Sequence, residues 1–154
     1  MLNMFNNELY EIISQDKTLM MGFQGIRPAD QLPKSLQCDQ SLIFNASDSD
    51  ENGTHWLCLY QNSDSELEMF DSFGNPPSFF NLQDKLPYSR TIVYNMKQLQ
   101  GVKSSVCGVY CMQYLFYKSR GYPTCKIVND LYSVDLNQND RNTIDYIKRL
   151  YNYI

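Results

Sequence analysis

Cys107 and Gly108 stand at the head of an apolar stretch, and Gln100 with Gly101 stands seven residues before them. A cysteine at a helix start faces unpaired backbone N–H groups and the positive end of the helix dipole, which favour a thiolate and can hold a developing oxyanion. A thiolate nucleophile needs a partner that takes and returns its proton, and the chain contains one histidine, His55. The next strand-like run ends at Asp71, ahead of Ser72, Phe73 and Gly74. Its carboxylate would accept the second imidazole N–H, fix the tautomer and stabilise the charged ring. Gln100 is neutral and transfers no proton, but its amide can donate to a carbonyl oxygen that turns negative, beside the backbone N–H of Cys107. Trp56, next to His55, would either line the cleft along a substrate backbone or fill the core. Gly101 and Gly108 leave room for close backbone approach. Each residue alone has a plainer role, as packed thiol, core histidine, turn aspartate or loop glutamine. The order His55, Asp71, Gln100, Cys107 is what points to acyl transfer.

These side chains need elements to hold them. Leu9, Ile12 and Ile13 recur at helical spacing, so a short amphipathic helix is expected over about 5–14, followed by a loop containing Gly22, Gly25 and Pro28. Residues 41–46 form a brief apolar run expected as the first central strand. An acidic, turn-rich loop over 47–53 then delivers the chain to a strand over 54–60, with His55, Leu57 and Leu59 on one face and Trp56, Cys58 and Tyr60 on the other. A turn over 61–65 returns the chain through 66–70 as an antiparallel hairpin, which would bring His55 and Asp71 together. A helical stretch is expected over 79–86, a strand over 91–94 and a loop over 98–106. Ser104 or Ser105 would cap a central helix that starts near Cys107, buries Val109, Met112, Leu115 and Phe116, and stops near Gly121. Two further helices are expected over 125–132 and 139–153, the second with Ile144, Ile147, Leu150, Tyr151 and Ile154 on its inner side. Strands in the middle with helices at both ends indicate an α+β fold, a central mixed and mainly antiparallel sheet flanked by helices.

Composition narrows the function classes. A chain of 154 residues, 43% hydrophobic and 19% charged, fits one domain over 1–154 that buries its own core. A net charge of −4 with no cluster of Lys and Arg opposes nucleic-acid binding. No secretory leader and no apolar run long enough to span a bilayer are seen, so an intracellular protein without a membrane partner is expected. The five cysteines (38, 58, 107, 111 and 125) are odd in number and lack the dense spacing of a disulfide framework. With no Cys-x-x-Cys pair and a single histidine, no zinc set and no required cofactor is expected. Cys111, one turn beyond Cys107, reads as a packing thiol.

The four elements His55-Trp56, Asp71-Ser72-Phe73-Gly74, Gln100-Gly101 and Cys107-Gly108 resemble those of the adenovirus proteases (adenains), and more widely of the proteases that process ubiquitin-like proteins. The resemblance implies a cysteine endopeptidase with a Cys107–His55–Asp71 triad and Gln100 in the oxyanion hole. It also implies polypeptide substrates, viral or virus-like precursors cut at or near glycine, and a location in the infected cell and the virion. The family's acid is commonly Glu where this chain has Asp71, and either carboxylate can orient the imidazole. The segment 133–141, with Asp135, Asn139 and Asp140, adds a weaker likeness to the viral branch. Adenovirus proteases are stimulated by DNA and by a short peptide. The acidic charge opposes the DNA part, and an activating peptide remains open. Three other readings use the same residues: an isopeptidase acting on ubiquitin-like modifiers, an acyltransferase, and a non-catalytic interaction domain.

Overall fold

The computed structural model describes residues 6–50, 55–63, 65–86 and 91–152. Its strands are β1 (Phe23–Pro28), β2 (Ser41–Asn45), β3 (Trp56–Ser63), β4 (Glu66–Phe70) and β5 (Thr91–Tyr94), lying in that order in one sheet. β2, β3 and β4 pair antiparallel, whereas β1 joins β2 and β5 joins β4 in parallel. The helices are α1 (Asn6–Ile13), α2 (Lys17–Met20), α3 (Leu82–Lys85), α4 (Cys107–Lys118), α5 (Thr124–Leu131) and α6 (Leu136–Tyr151). This is the expected α+β architecture, a mixed sheet flanked by helices. No helix among the described residues is long and apolar enough to cross a membrane.

The alternation of β3 separates two apolar cores. Cys58 and Tyr60, with Trp56 at the margin, face a cluster built with Leu9, Ile12 and Ile13 of α1 and the inner side of α4. Leu57 and Leu59 face the opposite way, with Leu42, Phe44, Leu67 and Met69, and are covered by Phe80, Leu82 and Leu86. Such period-2 patterning, apolar on both faces, is what a central strand requires. On the first face Phe70 stacks on Tyr114 of α4, ring centroids 4.4 Å apart, a contact worth about 1 kcal/mol beyond area burial. Central helix α4 is buried along all of its first nine residues, so its register against the sheet is tightly fixed.

The structure departs from the sequence expectations at several places. Residues 23–28, where Gly25 and Pro28 predict a loop, form edge strand β1. Parallel pairing with β2 overrides the turn character of Gly25 and Pro28, and residues 41–45 become the second strand. The helical stretch expected over 79–86 is broken in two, a 3-10 turn over Pro77–Phe80 and then α3, because Asn81 adopts left-handed backbone (φ 51°) between them. Neither Ser104 nor Ser105 caps α4. Val106 takes the cap position, its carbonyl accepting from the Val109 and Tyr110 N–H groups, and both serine hydroxyls are buried without a hydrogen-bond partner. Phe116 is half-buried rather than core. α6 begins earlier than expected, at Leu136, because Asp135 caps it by accepting the Gln138 N–H at 3.0 Å. Its fully buried positions include Asn139, Asp140 and Thr143 as well as Ile147. Phe5, residues 51–54, Asp64 and Ile154, which also entered those expectations, lie outside the described residues.

Candidate active site

The hairpin β3–β4 puts Cys58 opposite Phe70, so the residues just outside those two positions meet at one end of the sheet. His55 immediately precedes β3 and Asp71 immediately follows β4, and His55 Nε2 lies 2.6 Å from Asp71 Oδ1. The Asp71 side chain is fully buried. Its oxygens also accept the Phe73 N–H (3.0 Å) and the Asn75 N–H (3.1 Å), a turn closed by Gly74 at φ +72°. A Cβ on Gly74 would stand 2.9 Å from the backbone of Met96 and Lys97, so this turn admits only glycine. Asn95 anchors the turn from β5's end, donating to the Asp71 carbonyl at 2.5 Å and accepting the Asp71 N–H at 3.0 Å.

Cys107 is the first residue of α4, and 7% of its surface is exposed. The Trp56 N–H donates to its Sγ at 3.5 Å. That donor and the helix N-terminus both place positive potential at the sulfur. Cys107 as well as Asp71 acts on the His55 ring, each favouring its charged form. Since Asp71 takes Nε2, Nδ1 is the ring nitrogen left for the thiol. Burial pulls the His55 imidazolium down, but hydrogen bonds to Asp71 and Cys107 and the charges of both outweigh it and hold the ring up at about 9. Phe73 packs 5.0 Å from the imidazole, centroid to centroid, and Phe80 6.3 Å, which fixes the ring plane.

Gln100 is buried in the loop ahead of α4, and its amide is fixed at both ends. Ser72 Oγ donates to Oε1 at 2.6 Å and Nε2 donates to the Ser104 carbonyl at 2.9 Å, which leaves one amide N–H uncommitted. The Ser72 carbonyl also accepts the Leu99 N–H (2.8 Å) and the Gln100 N–H (3.1 Å), tying this loop to the turn that carries Asp71. Gly108 sits against Leu9 and Trp56, where a Cβ would come within 3.1 Å and 3.4 Å of their side chains. Trp56 packs against the main core and also borders a surface cleft of about 210 Å³ with Asn6, Pro28, Asn45 and Ser47, a cleft that His55, Asp71, Gln100 and Cys107 do not line.

The structure thus brings His55, Asp71, Gln100, Cys107 and Trp56 to one end of the sheet. The sequence does not disclose the orienting roles of Ser72, Asn95 and Ser104, the last through its carbonyl. Ser and Asn in turns have many plainer uses, and only the fold reveals what they touch. Cys111 is fully buried, and burial, with Cys58 beside it, pushes its thiol well up, as a packing thiol requires. Cys58 donates to the Cys111 carbonyl at 3.6 Å. Among the described residues no group of three or more His, Cys, Asp or Glu is placed to hold a metal ion.

No protein-family model matches the chain, and no curated protein matches it in sequence. Solved structures do. The ASFV pS273R protease matches at 19% identity and a TM-score of 0.40, over 67% of this chain and 43% of that one, so this chain spans less than half of that protein's length. ChlaDUB1, an effector protein of Chlamydia trachomatis, matches at 16% identity and a TM-score of 0.48, over 97% of this chain and 73% of that one. The central domain of Lpg1148 from Legionella pneumophila matches at 13% identity and a TM-score of 0.43, over 88% and 97%.

Proposed function

We propose that this chain is a cysteine endopeptidase in which Cys107 is the nucleophile, His55 the acid–base group, Asp71 its orienting carboxylate and Gln100 an oxyanion donor. The observation that carries this reading is the His55 ring 2.6 Å from Asp71, with the thiol at the start of α4 accepting the N–H of the adjoining Trp56 at 3.5 Å. A ring held up at about 9 is an imidazolium at neutral pH, the charged partner that a cysteine nucleophile needs.

In this reading the Cys107 thiolate attacks a peptide carbonyl carbon, and the carbonyl electron pair moves to oxygen. The free Gln100 amide N–H and the first-turn N–H of Cys107, which no carbonyl inside the helix can reach, receive that negative charge. As the tetrahedral species collapses the C–N bond breaks, and the leaving nitrogen takes its proton from His55 Nδ1. Water then attacks the thioester, giving its proton to the neutral ring. The carboxylic acid leaves, and the imidazolium–thiolate pair is restored. Asp71 keeps Nε2–H engaged throughout, so Nδ1 is always the nitrogen that faces the reaction.

The substrate in this proposal is an extended polypeptide with glycine at or beside the cut, passing Trp56, and a viral or virus-like precursor protein is the class it fits. An activating peptide is compatible with it, and no cofactor enters the mechanism. The test is hydrolysis of a fluorogenic glycyl-glycine peptide and of a ubiquitin C-terminal fluorogenic conjugate by the wild type and by Cys107→Ala. Cleavage of the first, lost in the variant, supports an endopeptidase. Cleavage of the second alone would make the protein an isopeptidase, and cleavage that survives in Cys107→Ala rules out the nucleophile.

A further inference from the structure

The mechanism makes no use of the polar residues on the inner face of α6, yet three of the molecule's key segments meet there. The Asp140 carboxylate takes the Gly101 N–H on both oxygens, at 3.1 and 3.3 Å, and Oδ1 also accepts the Tyr110 O–H at 2.9 Å. The neighbouring Asn139 donates to the Leu99 carbonyl at 3.1 Å, and the Tyr110 hydroxyl shares its proton with that same carbonyl at 3.2 Å. Ser133 Oγ holds Asn139 from its other side at 2.7 Å. All of these contacts are buried except the last, which is partly so.

A buried carboxylate is costly unless its lone pairs are met by donors, and no Lys or Arg ion-pairs with Asp140 among the described residues. An apolar side chain would serve packing better. What the carboxylate achieves is geometric. Leu99 and Gly101 flank Gln100, and both are gripped from α6. Tyr110 belongs to α4, three residues past Cys107 on the helix that carries the nucleophile. The Asp140 oxygen occupies the space where a side chain of residue 101 would begin, since a Cβ there would stand 2.9 Å from Oδ2, and this is the physical reason for Gly101. The charge of Asp140, after burial itself, is a reason the Tyr110 hydroxyl stays protonated as a donor.

We infer that Asp140 is a positioning residue for the oxyanion hole, joining the Gln100 loop to the catalytic helix so that the Gln100 amide and the Cys107 N–H converge on one point. This rests on the endopeptidase reading above. It says that α6 sets transition-state geometry rather than only closing the core.

The test separates a step that develops an oxyanion from one that does not. Acylation of Cys107 by p-nitrophenyl acetate passes through a tetrahedral oxyanion, whereas alkylation by iodoacetamide is a displacement at carbon that needs only the thiolate. Asp140→Asn keeps the volume but replaces one of the two acceptor oxygens with an N–H₂, which sets a donor against the Gly101 N–H or the Tyr110 O–H. The expected result is a fall in acylation rate of about tenfold or more, with the alkylation rate of Cys107 within about twofold of wild type. Tyr110→Phe removes one donor to Asp140 without adding another, and should lower acylation in the same selective way by a smaller factor. It decides the matter alone if Asp140→Asn does not fold. Acylation and alkylation falling together would mean a merely structural role, and no fall in acylation would mean no role; either overturns the inference. A wild type that is never acylated at Cys107 would instead defeat the hydrolase reading and take this inference down with it.

Discussion

The single histidine makes the charge state of the site directly measurable. His55 is held up at about 9 against an ordinary value of 6.5, a difference worth about 3 kcal/mol in favour of the imidazolium. Burial works against that charge, so the whole of the rise comes from Asp71 and Cys107. In Asp71→Asn the strongest of those partners loses its charge while burial remains, and the ring should titrate at or below 6.5. At pH 7.5 the ring would then change from almost wholly charged to about nine-tenths neutral. A Cys107→Ala variant should lower the value too, but by less, because the hydrogen bond and charge of Asp71 persist. With one histidine in the chain, the imidazole carbon-bound protons give one unambiguous set of NMR resonances to follow from pH 5 to 10. A His55 resonance that titrates near 6.5 in the wild type, or does not move on Asp71→Asn, would refute the electrostatic argument.

The same shift links to stability. Because the folded value lies above the unfolded one, His55 contributes stability that is complete below 6.5 and lost as pH rises through about 9, so the denaturation midpoints of wild type and His55→Gln should converge between those limits. Gln100→Ala should lower the rate of peptide hydrolysis about 100-fold or more with little change in KM, while leaving Cys107 alkylation intact, as steady-state kinetics beside alkylation rates will tell. At the far end of α4, Lys118 Nζ lies 2.6 Å from Glu68 Oε2 with both side chains buried. Lys118→Met strands that carboxylate and should cost about 3–5 kcal/mol in urea denaturation, and adding Glu68→Leu should recover most of the loss.

What the sequence disclosed follows from how locally each feature is encoded. The β3 and β4 hairpin, the start of α4 and the convergence of His55 with Asp71 were legible because period-2 alternation and a turn fix strand register within a few residues. β1 was not, since Gly25 and Pro28 dominate its local chemistry and its pairing partner lies some 17 residues on. The helix cap went to Val106 rather than a serine for a similar reason: the preceding loop is shaped by Ser72 and Asp140, which approach from distant chain. Asn139, Asp140 and Thr143 look in sequence like an exposed helical face. They are buried because the groups they meet, Gly101, Leu99 and Gln113, are themselves polar; Thr143 hydrogen-bonds Gln113 in the core between α6 and α4. A pattern based on hydrophobicity does not register a buried face that is satisfied by hydrogen bonds.

The most direct test of the account compares cysteines within the same molecule. Cys38 and Cys125 are exposed, and Cys107 is nearly buried. If accessibility alone governed reaction, iodoacetamide at pH 6 would modify Cys38 and Cys125 first. An imidazolium–thiolate pair predicts the reverse: peptide mapping by mass spectrometry should find Cys107 alkylated well ahead of both, and His55→Ala should abolish that lead. Cys107 reacting no faster than Cys38 and Cys125 in the wild type would contradict the account.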